Sequence, residues 1–600
     1  MKRRIARLFI AVVCSVSGLA TVSVAGATPS SPDVITVSTT ADVVNGVTSS
    51  PSALAANPGP DGISLREAIL ASDHSKGLIA ITFAKSLVGK TINLKSDLPP
   101  LTHVDTKIIG LTTDSGLPAV TLDGAQDTTP CCSGLLEVFA SDITISNLQF
   151  VNILHDNVAV AVRAGVPGGE QAIHNVLIDS NVFNNADQFG VAIGIGTYFP
   201  GYILGGSRNY SGAVSASLND VSVTNNVVEG FTDDGINVGL YGTDCSMANL
   251  LIQDNQFVNN TGPANPALEI GSAYSHNSIV GTNITNNTFT GNPLALFLAG
   301  GEAGVNQGNG SPIPATDNTL SNTSVSQNFI EGSQSSIQIV GGVGPSLANE
   351  NSVVNTEFSN DVIADSTSAE TTSIYIFGGE DNATNNQVNG VSFVNDTIAF
   401  NAGGGLWADA GGLGNQILSP TIENTIFWMN NFDFGGTNAA LFESSLNASL
   451  IGVNPLFVSQ QNLNLQAGSP AIGAGSVTGA PTVDIDDGLR NGAPDIGAYQ
   501  FAAASRPQLD VNIDELGGTG VVHSIPAGIS CKSTCYDSFG AGSSVTLTAT
   551  PAVGSRFAGW AGSCKGTGDC TLTLATASTV SATFSKALPP SKKIPTSRRT

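Results

Sequence analysis

The sequence is short of charge, and above all of positive charge: 12% of its 600 residues are charged, with Lys+Arg 22 against Asp+Glu 47. Between a basic start and a basic tail, residues 28–585 carry −34. Such a body repels phosphate backbones and anionic membrane faces, so nucleic acid is not an expected partner. Histidine is scarce as well: His74, His103, His155, His174, His276 and His523 offer no pair at metal-ligand spacing, and no metal site is expected from them. No nucleophile elbow and no phosphate-cradling loop occurs. Past the first residues there is no apolar run of about 18 residues, so no membrane span is expected. What is plentiful is aliphatic and glycine content, 41% hydrophobic residues and 68 glycines, a composition that folds.

The first residues run from Lys2, Arg3, Arg4 and Arg7 through an apolar stretch to Ala25-Gly26-Ala27. This reads as a secretory signal peptide over residues 1–27, which places the mature chain outside the cell, secreted or on the surface.

The strongest signal is an internal repeat. Residues 176–183, VLIDSNVF, set a spacing of apolar and Asn/Asp positions that recurs from Val221, Leu250, Thr282, Thr323, Thr356 and Val391. The polar positions are Asn181, Asn226, Asn255, Asn287, Asn328, Asp361 and Asp396, separated by 45, 29, 32, 41, 33 and 35 residues. Each copy alternates with period two, and a second alternating run ending in glycine follows it, with no helix-period segment between. Short strands of this kind bury their aliphatic faces only by stacking on neighbouring repeats. The expected fold is all-β, a right-handed parallel β-helix of roughly nine to eleven coils. Asn at the fixed turn position tolerates left-handed backbone and bonds to its counterparts one coil above and below. A leucine-rich repeat is the competing reading, but the repeat is long and irregular and Leu does not dominate it. The longest gaps, 181–226 and 287–328, mark the largest loops.

An open β-helix must cover its ends. In DGISLREAILASD, Ser64 and Glu67 form a capping box opening a short helix that buries Leu65, Ala68 and Ile69, an N-terminal lid. The segments DGISLREAI, ITFA, TINLKSDLP, KIIG and VTLDG resemble the start of secreted bacterial CSLREA-type β-helix proteins, with Ile63 where Cys is usual. NPLFVSQQNLNLQAGSPAIGAGS and DIDDGLRNGAPDIGAYQF resemble the choice-of-anchor Q region that ends many such solenoids. These resemblances imply a pectin-lyase-like solenoid, secreted or surface-held by varied anchors, not one reaction; no sortase or membrane anchor is recognisable here. Beyond a linker, GGTGVVHSIPAGIS through STVSATF resembles bacterial repeat modules related to internalin B-repeats, implying a small, mostly antiparallel unit. The domain plan is thus 1–27 signal peptide, 28–124 cap and first coils, 125–430 β-helix, 431–501 Q-like end, 502–508 linker, 509–585 module and 586–600 basic tail.

The module's Cys531, Cys535, Cys564 and Cys570 allow three connectivities; local pairing, Cys531 with Cys535 and Cys564 with Cys570, is expected. Cys131 and Cys132 could form a vicinal bridge, which leaves Cys245 free.

Two sets of residues could carry function. Asp233 and Asp234 in TDDGIN, with Glu269, are the candidate catalytic acids of a polysaccharide lyase or glycoside hydrolase acting on acidic polysaccharide, although no Gly-His-Gly and no Arg-x-Lys segment accompanies them. Arg163 and Arg208 are the available bases. Asp484, Asp486, Asp487 and Asp495 are candidate Ca2+ ligands, a hydrogen-bonded turn being the plainer role; no cofactor is required. Aligning the second strands puts Ala192, Asn237, Glu269, Phe297, Gln338, Tyr375 and Trp407 on one outer face. Amides, an acid and flat rings in one column suit a glycan track, and non-catalytic glycan binding or adhesion is the leading expectation. Loops packed over the column, and a purely structural surface spacer, are the plainer alternatives.

Overall fold

The computed structural model describes residues 33–586 apart from 114–115, 130–132, 155–157, 187–188, 197–213, 263–264, 306–311, 345–346, 491, 502–506, 527, 540–542, 553 and 575. The signal segment, Cys131, Cys132, Arg208 and the tail past Lys586 lie outside the described residues.

Each repeat contributes a strand to each of three parallel sheets. The first sheet, 16-stranded, runs from Asp33–Val37 to Leu446–Asn447. The second, 12-stranded, runs from Lys90–Asn93 to Leu450–Ile451, and the third, also 12-stranded, from Gly134–Val138 to Phe434–Gly435. Equivalent strands pair in register one coil apart, as Val176–Asp179 does with Val221–Thr224. This is a parallel β-helix, and three sheets without intervening helices exclude the leucine-rich alternative. Twelve strands in the second sheet exceed the expected nine to eleven coils. The surplus lies at the ends, where Lys90–Asn93 and Leu450–Ile451 occupy coils whose sequences do not show the repeat.

Period-two alternation sends one side chain in two inward. The inward positions of the second sheet include Phe183, Phe257, Phe289 and Phe427, all 0% exposed. Successive rings stack: Phe257 lies 4.5 Å from Phe289 with planes 1° apart, and in the first sheet Phe358 lies 5.0 Å from Phe393. Each such side chain gains about 1.5–3 kcal/mol from burial.

The corners are asparagine ladders. Asn226 Oδ1 accepts from Asn181 N at 2.9 Å and from Asn181 Nδ2 at 3.2 Å, and the pattern repeats through Asn255, Asn287, Asn328 and Asp361. The second Nδ2 hydrogen reaches a carbonyl one coil back, as from Asn255 to Val223 O at 2.8 Å. Left-handed backbone falls one residue earlier than expected. Asn225, Asp254, Asn286, Gln327, Asn360 and Asn395 have φ of 55°, 56°, 53°, 56°, 57° and 60°. The turn is made by the residue pointing outward, to solvent in most copies and into the returning segment at Asn360 and Asn395, which leaves the ladder residue free to point between strands. Two further ladders occupy other corners: Cys245, Asn277, Asn318, Asn351, Asn386 and Asn415 in one, and Ser366, Asn401 and Asn430 in the other.

At the N-terminal end the helix Leu65–Ser72 begins with the Ser64–Glu67 capping box and buries Leu65, Ala68 and Ile69. A second short helix, Pro51–Ala56, lies beside it. At the other end, Phe442 of the helix Ala439–Ser444 enters the core. Residues 452–501 then fold back over the outer face of the second sheet, where Phe457, Leu463, Ile485, Ile496 and Tyr499 cover Val362, Ala399 and Ile426. The C-terminal unit has two four-stranded sheets, antiparallel except for Gln508–Leu516 beside Ser578–Lys586. Cys531 pairs with Cys535 and Cys564 with Cys570.

Candidate functional site

The outer face of the third sheet brings together residues far apart in sequence. Hydrogen-bonded register aligns Ala192 with Asn237, Asn237 with Glu269, Glu269 with Phe297, Phe297 with Gln338, Gln338 with Tyr375 and Tyr375 with Trp407. The column divides into a buried half and an open half.

In the buried half, Asn237 Nδ2 donates to Asp234 Oδ2 at 2.9 Å and to Glu269 Oε1 at 3.0 Å. Tyr241, four residues on, donates from its hydroxyl to Asn237 Oδ1 at 3.4 Å. Glu302 closes the group: its carboxyl hydrogen-bonds with that of Glu269, and its Oε1 fills the space a side chain on Gly271 would take. Gly239 likewise leaves room for the Tyr241 ring. Asp234, Asn237 and Glu269 are 1%, 1% and 8% exposed.

Carboxyls packed this closely cannot all ionise. Burial pushes the Asp234 carboxyl well above its ordinary range, with Glu269 and Asp233 adding to the rise. Burial, then Asp233, lifts Glu269 to about 7. Glu302 is raised well above its ordinary value by burial and by Glu269, and burial raises the Tyr241 hydroxyl. The cluster therefore holds protons at neutral pH, the condition for a carboxylic acid to serve as a proton donor. Asp233 stands apart, accepting from Asn265 Nδ2 at 2.8 Å.

In the open half, Gln338 Nε2 donates to Glu380 Oε2 at 2.8 Å, and the Tyr375 hydroxyl accepts from Thr372 N at 2.8 Å. The Tyr375 ring stacks on Phe377 with centroids 5.6 Å apart. Trp407, 36% exposed, lies edge-on to Phe432 at 6.1 Å with its ring over Gly435. Phe297 is half-buried.

Tyr241 and Glu302 were not anticipated. Tyr241 shares the outward parity of Asn237 and could have been found from it. Glu302 follows Gly300 and Gly301 at the strand's end, where period two assigns it to the wrong side. Arg163 pairs with Glu137 at 3.4 Å, both buried, at the top of the same sheet.

Of the four candidate Ca2+ ligands, Asp484 and Asp495 hold the turn together and Asp487 ties it to the solenoid. Asp484 Oδ1 accepts from Asp486 N at 3.1 Å and Gly488 N at 2.6 Å, while Oδ2 accepts from Gln500 N at 2.8 Å. Asp495 accepts from Gly473 N at 2.7 Å and from Phe501 N, and Asp487 accepts from Gln327 Nε2 at 2.9 Å. Among the described residues no group of three or more His, Cys, Asp or Glu side chains is arranged to hold a metal ion.

A family model described as a divergent InlB B-repeat domain matches residues 523–588, covering most of the C-terminal unit and the first residues of the tail. No curated protein matches the chain. Among solved structures, the mannuronan C-5 epimerase AlgE6 A-module of Azotobacter vinelandii is 12% identical over 65% of this chain and 95% of that one, with a TM-score of 0.32. The Dettilon tailspike protein is 11% identical over 82% and 76%, TM-score 0.33. The α-1,3-glucanase catalytic unit of Streptomyces thermodiastaticus is 12% identical over 59% and 64%, TM-score 0.27. At these TM-scores the fold stands on strand pairing alone. Among the described residues no helix is long and apolar enough to cross a membrane.

Proposed function

We propose that the chain is a secreted or cell-surface β-helix protein, of the CSLREA and choice-of-anchor Q type its ends resemble, that binds extracellular glycans on the outer face of its third sheet without cleaving them. The observation that carries this reading is the open half of the column, where Phe297, Gln338, Tyr375 and Trp407 stand one per coil in register. Flat rings cover sugar C–H faces, amide and carboxylate groups meet hydroxyls, and a scaffold fixed by ladders presents them with little ordering cost. Trp407→Ala combined with Tyr375→Ala is expected to lower retention on the bound members of a glycan panel at least about tenfold; unchanged retention would overturn the reading.

A second reading, a polysaccharide lyase or glycoside hydrolase acting on acidic polysaccharide, is favoured by the protons that Asp234, Glu269 and Glu302 hold near neutrality. Two facts weigh against it: Asp234 and Glu269 are buried, and a body carrying −34 repels an anionic chain. Release of unsaturated or reducing sugars that Asp234→Asn abolishes would establish it. Neither retention nor release would leave a structural spacer.

A further inference from the structure

We propose that a second site, a cleft of about 450 Å³ between the second sheet and the disulfide loop of the C-terminal unit, binds a glycan unit carrying a free, protonated amino group. The solenoid contributes Phe329 and Glu331, and the returning segment contributes Ser459 and Gln461. Across from them stands the loop closed by the Cys531–Cys535 disulfide, with Ser530, Lys532, Thr534 and Tyr536. The walls belong to three parts of the chain held together by direct contacts, among them Asn464 Nδ2 donating to Asp537 Oδ1 at 3.1 Å.

The sign of the ligand follows from Glu331. Its carboxyl faces the cleft, and no hydrogen bond is among the influences on it; what acts on it is burial, then the negative charges of Asp365 and Asp537, which together lift it to about 7. Asp365 is itself raised by burial and is touched by Gln460 Nε2 at 2.5 Å, a neutral donor. Lys532 stands exposed on the rim, and its charge acts on buried His523. A half-buried carboxyl with two acidic neighbours and, among the described residues, no donor is a place where a cation gains and an anion loses.

The rest of the lining narrows the ligand class. Hydroxyls of Ser459, Ser530, Thr534 and Tyr536 and the amide of Gln461 suit a polyhydroxylated partner, and the rings of Phe329 and Tyr536 supply flat apolar surface. A bare metal ion would make no use of the rings, and among the described residues no group of three or more His, Cys, Asp or Glu side chains is arranged to hold one. The net charge of the body draws a cationic glycan towards the site. The cleft lies on the second sheet, away from the column on the third, so this proposal stands apart from the glycan reading of that column.

The test is titration calorimetry of the mature chain near pH 7.5 at low salt, with a β-1,4-linked glucosamine tetramer, its fully N-acetylated counterpart and tetralysine. The glucosamine tetramer is expected to bind at least about tenfold more tightly than the acetylated one. Glu331→Gln should reduce that binding about tenfold or more. Ser533→Trp, placed on the exposed rim, fills the cleft without touching a core and should abolish binding even where E331Q perturbs folding. Equal affinity for the two tetramers, or indifference to both E331Q and S533W, overturns the proposal. Tetralysine binding as tightly as the glucosamine tetramer overturns the assignment to a glycan.

Discussion

Two rungs of the first ladder carry aspartate where the others carry asparagine, and both are 0% exposed. Asp361 Oδ1 accepts from Asn328 N at 2.7 Å and Nδ2 at 3.0 Å. Asp396 Oδ1 accepts from Asp361 N at 2.8 Å, while its Oδ2 is buried without a partner. Burial lifts Asp361 to about 7 and Asp396 well above its ordinary value. For acids whose folded pKa exceeds the unfolded 3.8, the folded state binds more protons between the two values. Stability then falls as pH rises through that window, from about 4 to about 7 for Asp361, and is fullest below it. Asp396→Asn supplies the missing Nδ2 donor and removes the ionisation cost. It is expected to stabilise the solenoid by about 1–3 kcal/mol at pH 8 and by little at pH 3, read from denaturant midpoints at the two pH values. The polar positions of the ladder were legible from their spacing alone. That two of them would be proton-holding acids was not, because pKa follows from burial and from neighbours a coil away.

At the scale of the turn, the recurring unit is an outward-pointing left-handed residue followed by an inward ladder residue. Most copies put Asn, Asp or Gly in the first place, which tolerate that backbone. Met429, with φ 57° and 61% exposed, does not fit this rule. Met429→Asn is expected to add about 0.5–1 kcal/mol without changing any core contact, measured as slower hydrogen exchange at Ile426 and Phe427. Asn287→Ala runs the other way. It removes the acceptor of Asn255 N at 2.9 Å and the donor to Ile252 O at 2.9 Å, and should cost about 1–3 kcal/mol. Strand parity was likewise readable in advance, which is why Asn237, Glu269, Tyr375 and Trp407 fall on one face. The second and third ladders escaped notice because their members lie in short, irregular stretches whose spacing varies with the loops between strands. Tyr241 and Glu302 escaped for the related reason that a site on a solenoid is assembled across coils, not along one motif.

For the molecule as a whole, the segment 452–501 does what no repeat predicts, lying along the flank of the second sheet and converting an exposed face into a second core. Arg490 fastens it. Its guanidinium donates to Asn360 Oδ1 at 2.7 Å, Gly497 O at 2.9 Å, Ala498 O at 3.0 Å and Asp495 O at 3.2 Å. Burial lowers its pKa to about 10, an effect opposed by Asp484 and Asp495, so it stays charged at neutral pH. The sequence shows DIDDGLRNGAPDIG as a turn-rich stretch with acids, and the arginine between them drew no attention because its partners are mostly backbone carbonyls. Removing a half-buried, hydrogen-bonded cation leaves those carbonyls unpaired and the neighbouring carboxylates uncompensated, a loss of about 2–4 kcal/mol. Arg490→Ala should therefore release the segment while the three sheets, fixed by their own ladders and stacked rings, persist. Limited proteolysis is expected to cut within 452–501 at least about tenfold faster, and exchange at Val362, Ala399 and Ile426 to quicken. Exchange at Phe150 and Phe183, whose strands lie four or more coils from Phe329, should stay unchanged. Uniform loosening of all coils would instead mean that the flank segment holds the whole solenoid together, which the local nature of coil-to-coil contacts argues against.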